Sequence, residues 1–125
     1  MIYGIGVDLI EIERMAQAIT RTGQRLIERL YTDAEQAYCS RQRPPHACYA
    51  ARFAAKEALL KAFGTGLRQD MRWRDIEVWR DDLGKPGLRL YGSLQERCVT
   101  EGIQRIHLSL AHSATCAMAQ VILER

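Results

Sequence analysis

Glu57 and Lys61 stand one helical turn apart in residues 50–66, an alanine-dense run that stops on Gly64-Thr65-Gly66. At about 100° per residue, Ala50, Phe53, Glu57, Lys61 and Gly64 fall within one narrow stripe of a helix. An acid and a base framed by Phe and Ala describe a partly buried polar site. The competing reading is an exposed i,i+4 pair, worth only about a few tenths of a kcal/mol. A second acid, Asp8, ends the apolar opening run of residues 2–7. It reads either as the cap of a following helix or as a carboxylate presented at a strand end, available to a metal.

The elements that must position these groups can be read from pattern. Residues 2–7 form a strand apolar on both faces, hence central in a sheet, with Gly4 and Gly6 where another backbone passes close. The Gly4-x-Gly6 pair is not a dinucleotide fingerprint, because Leu9 holds the third glycine position. Residues 10–29 read as helical, with Gly23 a possible break. On one helix, Arg14, Arg21 and Arg25 lie within about 40° of one another, either a solvated basic face or a docking stripe for an acidic partner. Thr32 and Glu35 form a capping box at the start of a short helix, and Pro44-Pro45 precedes the alanine-rich one. Residues 75–80 alternate as a strand with Ile76 and Val78 on one face. A turn at 81–87 leads to its hairpin partner at 88–91. Ser93 caps a helix that runs to Glu101 and stops at Gly102. Residues 105–111 and 115–123 make two last strands. The class is α+β, a mainly antiparallel sheet packed against the long alanine-rich helix, with residues 1–125 as a single domain.

Four blocks in order resemble the holo-acyl-carrier-protein synthases, the small bacterial 4′-phosphopantetheinyl transferases. They are Gly6-Val7-Asp8-Leu9-Ile10-Glu11-Ile12, the run Arg52-Phe53-Ala54-Ala55-Lys56-Glu57-Ala58 with Lys61 to Gly66, then Gly84-Lys85-Pro86, and the late strand from His107 to His112. The resemblance implies transfer of 4′-phosphopantetheine from coenzyme A to a serine of apo acyl carrier protein, releasing adenosine 3′,5′-bisphosphate in support of fatty acid biosynthesis. It implies Asp8 and Glu57 as ligands of Mg²⁺, and Glu57 and Lys61 as catalytic groups with Lys61 on a phosphate oxygen. It places Gly64, Gly84, Lys85, Pro86, His107 and Ser109 around coenzyme A, His107 and Ser109 sharing a strand face and His112 pointing the other way. Arg52 and Lys56 lie off the Glu57 stripe and are left to the 3′-phosphate, a neighbouring subunit or solvent. Arg14, Arg21 and Arg25 become the docking stripe for the acidic carrier. A homotrimer with sites between subunits is implied as well. The base that takes the serine proton stays open among Glu57, a metal-bound water and another carboxylate. Ala111 departs from relatives that carry a hydroxyl there.

Composition sets limits. At 125 residues the chain makes one core, and an oligomer would help to shield its apolar surface. The excess of basic residues is nearly all arginine, with lysine only at 56, 61 and 85. Four cysteines without CxxC or metal-ligand spacing read as reduced thiols, which suits a cytoplasmic protein. There is no run of about 18 apolar residues, so no membrane span is expected. A small basic nucleic-acid-binding domain is the rival class, but ribonucleoprotein aromatics, zinc-finger spacing and a recognition helix are missing. A homologue that binds coenzyme A without catalysis is the other alternative.

Overall fold

A computed structural model describes all of residues 1–125. In chain order the elements are β1 (Ile2–Glu11), α1 (Ile12–Thr22), α2 (Gln24–Leu30), α3 (Asp33–Ser40), α4 (Pro45–Phe63), β2 (Ile76–Arg80), β3 (Pro86–Leu90), α5 (Gly92–Glu101), β4 (Arg105–His112) and β5 (Cys116–Glu124). A three-stranded antiparallel sheet runs β1-β5-β4, and β2 pairs with β3 in a separate hairpin.

Helix α4 is the axis of the molecule. Ala50, Ala54, Ala55 and Ala58 are fully buried, as are the flanking Leu59 and Leu60. Alanine favours the helix and keeps its surface low, so the sheet can lie almost on its backbone. The contact is closest at β1. A Cβ on Gly6 would collide with the carbonyl oxygen of Ala58, and one on Gly4 with that of Ala62. Both glycines are therefore required by space, as their spacing suggested. The helix opens on Pro45 and ends on Gly64, whose left-handed φ of 79° suits a residue without a side chain.

Strand β1 differs from its expected place. It is an edge strand, not a central one, and its two faces have different fates. Gly4, Gly6, Asp8 and Ile10 turn towards α4, while Ile5, Val7 and Leu9 point outward and are exposed, with Met118 of the neighbouring β5 beside Leu9. The run is apolar on both sides because one face packs on the helix and the other forms an open apolar sheet surface.

Asp8 does not end the strand, which continues to Glu11, and it does not cap α1, whose N-cap Glu11 makes no side-chain cap bond. Gly23, at φ 80°, separates α1 from α2, so Arg25 belongs to a different helix from Arg14 and Arg21. The capping box of α3 is present as read: Thr32 Oγ1 accepts from Glu35 N, and Thr32 N donates to Glu35 Oε1 at 2.9 Å. Ser93 caps nothing; its hydroxyl donates to the Asp70 carbonyl at 2.7 Å. The β2–β3 hairpin, with Ile76 and Val78 buried, and the β4–β5 pair match the strands read from alternation.

Two of the four cysteines are not free thiols. Cys39 and Cys48 form a disulfide across the connection between α3 and α4, while Cys98 and Cys116 are unpaired. The pair stands nine positions apart in sequence, and the turn through Pro44 brings their Cα atoms to 5.5 Å. No spacing rule announces such a pairing, because the turn creates it. Cysteine usage therefore gives no support for a reducing compartment.

Candidate functional site

The close approaches of Gly4 to Ala62 and Gly6 to Ala58 run back along α4, so Asp8, two residues further along the inner face of β1, lies towards the middle of that helix. There Lys61 reaches across and donates to Asp8 Oδ1 at 2.9 Å and to the Val7 carbonyl at 3.1 Å. Glu57, one turn earlier on the same helix, is half-buried beside them. Burial first, and the charge of Asp8 second, raise its pKa above the ordinary carboxylate value, with Lys61 partly offsetting both. The hydrogen bond from Lys61 to Asp8 in turn holds the lysine pKa above its usual value. Two elements far apart in sequence thus bring Asp8, Glu57 and Lys61 into one charged cluster; spacing joins only Glu57 and Lys61, and the family resemblance implies Asp8 beside them.

The donor set can be tested for a divalent cation. No three His, Cys, Asp or Glu side chains converge anywhere in the chain. Asp8 Oδ2, however, is buried with no hydrogen-bond partner, and such an orphaned carboxylate oxygen calls for a cation. Two neighbouring carboxylates, one with an unpartnered oxygen, suit magnesium, which completes its shell with water and phosphate oxygens instead of a full protein cage. Asp8 and Glu57 fit that requirement.

Arg14 and Arg21 share a groove of about 440 Å³ with Leu9, Ile10 and Phe53, which begins at the end of β1 just beyond Asp8. Arg25, on α2, does not line it. A second, cationic cavity of about 180 Å³ lies at the other end of α4, where Arg43, Arg52, Arg80 and His112 gather without an acidic side chain in its lining. The Arg52 guanidinium packs 4.3 Å from the centre of the Tyr38 ring and donates to the Val78 carbonyl at 2.7 Å. Gly84 borders an adjoining cavity with Arg52 and Arg80, and Lys85 projects exposed from the same turn. Pro86 starts β3 beyond it, and Gly64 is exposed at the end of α4. His107, Ser109 and Ala111 lie on the outer face of the sheet, with His107 2.9 Å from Glu124. Within one chain these residues stand on the opposite side of the sheet from Asp8. His112 alternates to the other face, as expected.

The sequence reading missed the role of Lys56. It is fully buried, neither solvent-facing nor available to a ligand. Its ammonium donates to Glu35 Oε1 and to the Leu30 carbonyl, each at 2.6 Å, and to the Trp73 carbonyl at 3.2 Å. Arg52 is likewise buried, with a rim position on the cationic cavity. A lysine one residue off the functional stripe, facing a helix whose Glu35 is also in a capping box, was the signal available.

This three-stranded sheet wrapped on an alanine-rich helix is the fold of the phosphopantetheinyl transferases. The crystal structure of holo-acyl-carrier-protein synthase from Neisseria meningitidis matches it with a TM-score of 0.93 and 35% identity, covering 100% of both chains. That of the Bacillus anthracis enzyme in complex with CoA (3′,5′-ADP) matches at 0.81 and 37% identity, covering 98% of this chain and 96% of the other. A curated holo-acyl-carrier-protein synthase from Geobacter sp. (strain M21) is 47% identical over 125 residues, all of both chains. The model of the 4′-phosphopantetheinyl transferase superfamily matches residues 4–119, and the chain belongs to that family.

Proposed function

We propose that this chain, acting as one transferase domain over residues 1–125, moves the 4′-phosphopantetheine of coenzyme A onto a serine of apo acyl carrier protein. The serine oxygen forms a bond to the β-phosphorus, the bridging P–O bond breaks, adenosine 3′,5′-bisphosphate leaves with the electron pair, and the serine proton passes to a base. The observation that carries this reading is the meeting of Asp8, Glu57 and Lys61 beside an open groove, in a chain whose relatives are holo-acyl-carrier-protein synthases.

Asp8 and Glu57 are the residues that would hold Mg²⁺, which when bound would offset the charge of the diphosphate. Lys61 holds a phosphate oxygen and stabilises the charge that builds there as the bond to phosphorus breaks. The cationic cavity of Arg43, Arg52, Arg80 and His112 suits the 3′-phosphate, since guanidinium groups match phosphate oxygens in shape and charge. Gly84, Lys85 and Pro86 would flank that nucleotide end, with Gly64 at the end of α4. Arg14 and Arg21 line the groove into which an acidic carrier helix would dock, and Arg25, on α2, stands outside that lining.

A homotrimer with sites between subunits is supported by the outer sheet face, where Ile5, Val7, Leu9 and Met118 are exposed together. Packing of that face against another copy would also bring His107 and Ser109 to a neighbour's site. No helix is long and apolar enough to cross a membrane. We assign the protein to the cytoplasm, where coenzyme A and carrier proteins are found together. The test is to incubate the protein with coenzyme A, Mg²⁺ and apo carrier and to record the intact mass of the carrier. A gain of one phosphopantetheinyl group is expected. No gain would overturn the activity, and steeply salt-dependent RNA or DNA binding would then favour the nucleic-acid alternative.

A further inference from the structure

Lys61 alone among the cations of the chain pairs with Asp8, and by holding Oδ1 it sets its positive charge beside the free Oδ2, where it opposes the arrival of a second cation. Asp8 Oδ2 is buried and unpartnered, while Oδ1 is held by the lysine. The two carboxylates and one ammonium leave a local charge of about −1, which attracts a cation but already contains one. We propose that the Lys61 ammonium is the resident counter-ion of the Asp8–Glu57 pair, and that a divalent cation takes both carboxylates only when Lys61 releases Asp8. This inference rests on the reading of Asp8 and Glu57 as the metal-holding pair.

The geometry favours such an exchange. The Lys61 side chain is 53% exposed against 13% for Asp8, so the lysine is the mobile partner and the carboxylate the fixed one. Its second contact, to the Val7 carbonyl, is to an exposed strand edge and is easily replaced by water. A four-carbon stem that swings away from Asp8 stays within reach of the space beside the carboxylates, where a phosphate would lie. The same ammonium would then serve Asp8 in the free protein and a phosphate in the complex. Coupling between sites is reciprocal, so a diphosphate that captures Lys61 makes cation binding easier, and the cation makes diphosphate binding easier. The device also disfavours a tightly held cation in the absence of the nucleotide.

The chain is well suited to a direct test, because it has lysine only at 56, 61 and 85. Labelling lysine with ¹³C and ¹⁵N gives three side-chain signals: buried Lys56, exposed Lys85 and the ion-paired Lys61. The whole protein is titrated with Mg²⁺ alone, with no nucleotide, and binding is followed in parallel by calorimetry. The Lys61 signal is expected to move towards the free-lysine position of Lys85 in step with binding. Lys61→Met, similar in length and uncharged, should bind Mg²⁺ roughly two- to fivefold more tightly, the scale of a surface ion pair lost. Mg²⁺ binding with an unmoved Lys61 signal, or with unchanged or weaker affinity in Lys61→Met, would overturn the exchange while leaving the metal reading intact. No binding by wild type or by Lys61→Met would overturn the metal reading and the exchange with it.

Discussion

The Lys56 ammonium and the Glu35 carboxylate meet at 2.6 Å with neither side chain exposed to solvent, pinning α3 to the turn of α4 that carries Glu57. Glu35 is used fully: Oε1 accepts from Thr32 N and from Lys56, and Oε2 from Val78 N at 2.9 Å. Burial lowers the Lys56 pKa, while Glu35 opposes that shift and supports the charged form. One ion pair therefore ties α3, α4 and β2 together and sets the rotation of α4 about its axis.

Breaking that pair from one side strands a buried charge. Lys56→Met is expected to cost about 3–5 kcal/mol, and the double variant Lys56→Met/Glu35→Gln markedly less than the sum of the two single changes. Urea unfolding of the four proteins measures this. A loss under about 1 kcal/mol for Lys56→Met would show that the pair contributes little.

Glu57 is held in a site that disfavours its charge. Its folded pKa is raised above 4.5, so between that value and the raised one the folded state binds more protons than the unfolded state. Stability therefore falls as pH rises through this window. Glu57→Gln should raise the melting temperature modestly at pH 7 in the presence of chelator, and this gain should vanish below pH 4.5, while transfer activity is lost. Equal melting temperatures at both pH values would contradict the shift.

Gly6 fixes the distance between β1 and α4, and the atom it faces is a backbone carbonyl, which cannot rotate away. Gly6→Ala should cost about 1–3 kcal/mol or more by forcing the strand off the helix. Because Asp8 rides on that strand, activity measured well below the new melting temperature should fall as well. Full activity in a destabilised Gly6→Ala would show that the strand's position is not critical for the site.

Much of this was legible in the sequence because the relevant signals are local. The stripe of Glu57 and Lys61, the close-approach glycines, the capping box of Thr32 and Glu35 and the alternation of Ile76 and Val78 each lie within a few residues. What was not legible depends on partners far along the chain. Lys56 finds Glu35 and Trp73 only after α3 folds back, and Cys48 finds Cys39 only through the turn at Pro44. Strand β1 looked central because its outer apolar face packs on nothing within one chain. Arg25 left the arginine stripe because Gly23 splits the helix, a break that periodicity alone leaves open.

Arg14 and Arg21 face the groove at the end of β1, and reversing either charge should weaken encounter with an acidic carrier. Arg14→Glu and Arg21→Glu are expected to lower the rate about tenfold or more at low carrier concentration, with coenzyme A binding unchanged. High salt should narrow the gap from wild type, since exposed charges are screened beyond roughly 8 Å at physiological ionic strength. An unchanged dependence on carrier concentration in both variants would move the docking surface elsewhere.

On the proposed function, phosphopantetheine transfer takes place at the cluster of Asp8, Glu57 and Lys61. Its most direct measurement is the rate of mass gain on apo carrier, with coenzyme A and limiting Mg²⁺, for wild type, Asp8→Asn and Glu57→Gln in parallel, each shown to be folded by circular dichroism. Wild type should modify the carrier, and both folded variants should be slower by about a hundredfold or more, the scale of losing a preorganised charge at a reacting centre. Near-wild-type turnover by either variant would contradict the assignment.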